Sequence, residues 1–123
     1  MSPLQQQTPE QTAKIRDLND ALRTVRDPIG ALMFNGSLVI TRALADKGNA
    51  CIDQAVEAMR MFSNFTPDND PWSEHDFAAF EVDGVTCNFK IDYFASDLEH
   101  GSEAPWDAGV TRRVLTLMLA QDY

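Results

Sequence analysis

Apolar positions recur at steps of three and four through Ile15, Leu18, Leu22 and Val25, the stripe of a helix that buries one side. Its start is marked by Thr8-Pro9-Glu10-Gln11, which combines a capping hydroxyl, a proline suited to the first helical position and a capping-box glutamine. Asp27-Pro28 ends it, because a residue before proline is pushed out of the α region. Residues 1–7 then read as a flexible tail, and residues 8–123 as a single domain.

Beyond this helix the period shortens. Two apolar runs, residues 31–34 and 37–41, flank Asn35-Gly36, a dipeptide that favours a tight hairpin turn. A second helical stripe over about residues 50–62 places Ile52, Ala55, Val56, Met59 and Phe62 inward. The turn-rich Thr66-Pro67-Asp68-Asn69-Asp70-Pro71 follows. Residues 76–82 and 85–94 then surround Asp83-Gly84, and Val85, Cys87, Phe89, Ile91 and Tyr93 alternate with polar neighbours, predicting a second hairpin with one wet face. A loop with Gly101, Ser102 and Pro105 leads to a predicted last helix over about residues 107–120, capped by Asp107 or, in a shorter version, by Thr111, with Val110, Val114, Leu117 and Met118 inward. The expected order is α-ββ-α-ββ-α: an α+β fold in which two hairpins form an antiparallel four-stranded sheet with helices on one face.

Charge changes the picture in one place. The net charge is −9, yet residues 1–67 are neutral, while residues 68–107 hold eleven of the nineteen acids against a single base, Lys90. Such a field repels phosphates, which disfavours direct nucleic-acid binding, and attracts basic surfaces or cations. General solubility would also select an acidic surface. The N-terminal residues lack the basic and apolar regions of a secretory signal, and Leu38-Val39-Ile40 is far shorter than the roughly 20 residues that span a bilayer, so a cytoplasmic protein is expected. Cys51 and Cys87, with no close-spaced partner, read as small buried apolar residues.

Candidate chemistry centres on Asp68, Asp70, His75, Asp76 and Asp92. Carboxylates beside one imidazole can hold a hard divalent cation or act as an acid–base pair, although the spacing matches no ordered metal motif. Asp68, Asn69 and Asp70 are also the residues a turn uses to bond its own backbone, with His75 tying the loop to the sheet. No nucleophile elbow, glycine-rich phosphate loop or Walker motif is present, and no cofactor is expected.

Thr66-Pro67-Asp68-Asn69-Asp70-Pro71, Glu74-His75-Asp76-Phe77, Phe80-Glu81-Val82-Asp83-Gly84, Lys90-Ile91-Asp92-Tyr93 and the closing run from Val110 to Ala120 together resemble a bacterial family of small proteins that carries a domain of unknown function. The resemblance reaches back to about Leu18 and implies kinship without assigning catalytic or binding residues.

The functional expectation is therefore an acidic interaction protein that meets a basic partner through Asp68, Asp70, Trp72, Glu74, Asp76, Asp97, Glu99, Glu103 and Trp106. A concrete form is an inhibitor that mimics nucleic-acid charge against the basic groove of a host or defence machine of the CRISPR or restriction type. The alternatives are a small metal-dependent or acid–base enzyme using His75 and nearby aspartates, and a structural homo-oligomer.

Overall fold

The computed structural model describes residues 7–26, 30 and 35–123. Residues 1–6, which carry most of the expected tail, residues 27–29 with the expected Asp27-Pro28 stop, and residues 31–34, the first half of the expected first hairpin, lie outside the described residues.

Helix α1 spans Pro9–Thr24. The Thr8 hydroxyl accepts from the Gln11 amide at 3.1 Å, and the Thr8 amide donates to the Gln11 side chain at 2.9 Å, closing the capping box. Replacing Thr8 by alanine should cost about 1 kcal/mol in urea unfolding, with glycine at this position costing a few tenths. Strand β1 (Gly36–Ile40) is followed by the short helix α2 (Arg42–Ala45) and by α3 (Asn49–Met61). Gly48 precedes α3 with φ +99°, a backbone that side-chain-bearing residues rarely adopt.

Strands β2 (Phe77–Val82) and β3 (Val85–Phe94) form the expected second hairpin, with Asp83 at φ 52° and Gly84 at φ 80° in the turn. The expected last helix is instead a strand, β4 (Arg112–Leu119), ending in a 3₁₀ turn (Ala120–Asp122). Inward positions Arg113, Leu115, Leu117 and Leu119 are all buried and recur every second residue. The charge on Arg113 disguises that alternation, so the apolar residues alone fit a helical step. Val114 and Thr116 add the β-branched character that favours a strand. Asp107 caps no helix; its carboxylate accepts from the Gly109 amide at 2.8 Å and shapes a turn.

The sheet order is β1-β4-β3-β2. β2 and β3 run antiparallel, as do β3 and β4, but β1 pairs parallel to β4, from Gly36 opposite Arg113 to Ile40 opposite Leu117. The fold is thus α+β as expected, with a mixed sheet in place of the fully antiparallel one. Asn35, at φ 51°, ties the start of β1 to β4: its carbonyl accepts from the Arg113 amide at 3.0 Å and its side chain donates to the Ala108 carbonyl at 2.7 Å.

The core lies on one face of the sheet. Ala78, Val82, Cys87, Phe89, Ile91, Leu115, Leu117 and Leu119 point to that face, where Leu22 of α1, Leu44 of α2 and Ala55 and Met59 of α3 cover them. Cys51 and Cys87 are free thiols, and burial raises the Cys87 pKa, with Cys51 adding to it. No helix among the described residues is long and apolar enough to cross a membrane.

Candidate functional site

The strand register decides where the acids fall. β2 begins, β3 ends, and β4 and β1 begin at one end of the sheet. The 66–76 loop enters β2 at that end, where the Asp76 carbonyl accepts from the Ile91 amide at 2.8 Å. The loop between β3 and β4 leaves from the same end, with Phe94 opposite both Arg112 and Gly101. Asp68, Asp97, Glu99, Glu103 and Asp107 are exposed there, as is Trp72 at 73% of its full accessibility. Trp106 is half-buried in the loop. Glu81 and Asp83 sit on the hairpin at the opposite end.

Beneath the exposed acids, α1 is fastened to the 66–76 loop by polar contacts. The Arg16 guanidinium donates to the Ser73 carbonyl at 3.2 Å. Asn19, fully buried, donates to the Glu74 carbonyl at 3.0 Å and to the Tyr93 hydroxyl at 2.7 Å. Its side-chain oxygen accepts from Arg113 Nε at 2.9 Å. Tyr93 in turn donates to Glu74 Oε1 at 2.8 Å, and the Arg113 guanidinium lies over the Tyr93 ring at 5.1 Å and donates to the Pro105 carbonyl. Burial and the neighbouring Glu74 and Asp76 charges push the Tyr93 hydroxyl far above its ordinary pKa, so it serves as a donor. Burial lowers the Arg113 pKa.

His75 forms the second knot. Its Nδ1 is 3.0 Å from each oxygen of Asp20, and its Nε2 is 3.5 Å from Asp70 Oδ2. The imidazole stacks on Phe65 at 3.8 Å and 6°. Asp20 also pairs with Arg23 at 3.0 Å, and Arg23 donates to the Met59 and Phe62 carbonyls at the end of α3. Asp70 is buried and accepts from the His75 amide at 3.2 Å, while Thr66 and Asn69 exchange hydrogen bonds across the turn. Ser73 and His75 adopt φ of 57° and 56°, backbone strain concentrated in this loop.

Of the sequence-predicted cluster, the side chains of Asp70 and His75 are in contact, while Asp76 feels the charges of Asp70 and Asp92 without contacting them. No three of Asp68, Asp70, His75, Asp76 and Asp92 offer ligand atoms within 4.8 Å of one another; among the described residues that spacing is met by the exposed Asp97, Glu99 and His100. There the Asp97 carboxylate accepts from the Glu99 and His100 amides at 2.9 and 3.1 Å and contacts His100 Nδ1 at 2.6 Å. Those bonds, the Glu99 amide first, lower its pKa. Asp92 instead contacts Lys90 at 3.1 Å, and Glu74 is held by Tyr93 and Gln7. Asn19, Asp20, Arg23, Tyr93 and Arg113 carry the geometry; Tyr93 and Arg113 lie in the motifs of the family resemblance, which assign them no role, and the three α1 residues lie in no motif. The spacing Ile15–Asn19–Leu22 along one helical face is the signal that marks Asn19 as inward.

Asp76 is pushed up to about 6, first by burial and then by the charges of Glu74, Asp70 and Asp92. Its folded pKa exceeds the ordinary 3.8, so the folded state holds this proton more tightly than the unfolded chain. The resulting stability is present below about 4 and is lost as pH rises through about 6. Asp76→Asn should therefore be more stable than the natural protein by about 1 kcal/mol near pH 7, after allowance for solvent screening, with the gap closing toward pH 4 in urea unfolding.

A family model described as a protein of unknown function (DUF3768) matches residues 40–122, about two thirds of the chain. The chain belongs to the DUF3768 family. No curated protein and no solved structure matches it. The matched DUF3768 segment contains Asp70, Glu74, His75, Tyr93 and Arg113, whereas Asn19, Asp20 and Arg23 come from α1, outside the match. Both knots of the site are thus made between the DUF3768 segment and the helix that precedes it.

Proposed function

We propose that this protein is a non-enzymatic interaction module that presents the acid-rich end of its sheet to a basic protein surface. The observation that supports the reading is that the two loops carrying the exposed Asp68, Trp72, Asp97, Glu99, Glu103 and Asp107 join the sheet at the same end. A large exposed aromatic ring within a charged rim has the make-up of an interface anchor. The partner chemistry that fits is a groove rich in lysine and arginine, of the kind that holds nucleic-acid phosphates in a host or defence machine. In that form the protein acts as an inhibitor by charge mimicry. Association should be steered by Coulomb attraction, so its affinity should fall about tenfold or more between about 50 mM and 300 mM salt in calorimetry on the purified pair. An affinity indifferent to salt would count against this reading.

A further inference from the structure

A cavity of about 370 Å³ opens between α1 and the 66–75 loop, with Asp70 and His75 at its polar side, Phe65, Pro67 and Pro71 as apolar walls, and Arg16 at its rim. The tautomer of His75 decides what it can bind. Carboxylates only accept hydrogen bonds, so the contact of Nδ1 with Asp20 places the hydrogen on Nδ1 and leaves the lone pair of the neutral ring on Nε2. Nε2 faces Asp70 Oδ2 at 3.5 Å, well beyond the roughly 2.8 Å of a charged N–H···O bond. In the neutral ring two acceptors, Nε2 and the Asp70 carboxylate, thus belong to one side of the cavity, and the Asp70 side chain is only 6% exposed. A cationic N–H group placed there bonds both at once and supplies the charge that a buried carboxylate lacks.

We propose that the cavity receives one arginine side chain of the basic partner, an inference that rests on the interaction reading above. The forked guanidinium has donors for Asp70 Oδ2 and His75 Nε2 together, and its alkyl stem suits the Pro67 and Pro71 walls, the Phe65 ring being already stacked on His75 and carrying Arg23 at 5.4 Å. Arg16, held by the Ser73 carbonyl, is left to donate to a main-chain carbonyl of the same peptide. Asp20, by fixing the tautomer, is a positioning residue.

The test is a titration of the isotopically labelled full chain with acetyl-Gly-Arg-Gly-amide, followed through the amide signals of Asp70, Ser73 and His75 and the His75 ring. The expected result is a saturable shift with a dissociation constant on the order of 1 mM. It should weaken tenfold or more in Asp70→Asn, and for the natural protein with the citrulline peptide, which keeps the shape and removes the charge. No shift up to about 20 mM peptide, or equal shifts with citrulline, would overturn the proposal. So would a response of His75 to Zn²⁺ with none to the arginine peptide, which would make the pair a metal site. If the peptide fails while a salt-labile complex still depends on Asp97, Glu99 and Glu103, the cavity proposal falls and the surface reading stands. If the peptide binds but the complex ignores salt, the surface reading falls.

Discussion

Replacing Arg113 by alanine should lower the stability of the fold by about 3 to 5 kcal/mol, a drop in Tm of about 10 °C or more for a domain of this size. Arg113 is 1% exposed. Its removal empties the centre of the sheet's acid-rich end and strands the Asn19 oxygen and the Pro105 carbonyl that accept from it. It also takes the cation from the face of Tyr93, beside which Glu74 is held. Lysine in its place should recover only part of the loss, since one ammonium cannot repeat the guanidinium fork toward both partners. Removing both sides of the central contact is a different experiment. The double variant Asn19→Leu/Arg113→Met should be less destabilised than the sum of its single variants, because neither change then leaves the other side buried without its partner. Thermal and urea unfolding of the natural protein, Arg113→Ala, Arg113→Lys, the two single variants Asn19→Leu and Arg113→Met and the double variant checks both statements. Strict additivity would mean that Asn19 and Arg113 do not act as one unit.

Reversing the charge of three loop acids, Asp97→Lys/Glu99→Lys/Glu103→Lys, should weaken the complex with the proposed basic partner by about 100-fold while leaving the fold intact. Each site exchanges an attraction for a repulsion, worth about 1 kcal/mol at an exposed rim, and about 1.4 kcal/mol is a tenfold change in affinity. Glu99 and Glu103 are exposed. Asp97 shapes its turn through the Glu99 and His100 amides, so the variant Glu99→Lys/Glu103→Lys serves as the companion that keeps the loop. The control matched to that double variant is Glu81→Lys/Asp46→Lys, two exposed acids placed on the β2–β3 hairpin and at the C-terminal end of α2, which follows β1. That control should bind within a few-fold of the natural protein.

The elements governed by local rules were legible in the sequence. The capping box at Thr8, the stripe of α3 and the Asp83-Gly84 hairpin each have a short-range physical cause, and all three are present. What escaped depends on distant partners. β1 reads as half of a hairpin, but its hydrogen bonds go to β4, more than seventy residues away in sequence. β4 reads as a helix because its inward face begins with an arginine, and nothing nearby announces that Asn19 and Pro105 will satisfy it. The site divides in the same way. His75 and Asp70 stand out as chemistry-bearing residues in one loop, whereas Asp20 sits on a helix more than fifty residues earlier, where it reads as an ordinary surface acid. The concentration of acids between residues 68 and 107 is plain from composition; that the β3–β4 loop acids leave from one end of the sheet while Glu81 and Asp83 lie at the other follows only from the register.

The measurement that tests the central claim most directly pairs capture with mapping. A protein bound from native cell lysate at low salt is identified and purified, and its affinity is compared for the natural chain, the acid-end triple variant and the far-end control at two salt concentrations. The account predicts a basic, nucleic-acid-binding partner whose affinity falls with salt, falls about 100-fold further with Asp97, Glu99 and Glu103 reversed, and is nearly unchanged by reversal of Glu81 and Asp46. Equal losses from the two ends, or binding that is untouched by salt and by either set of reversals, would contradict it.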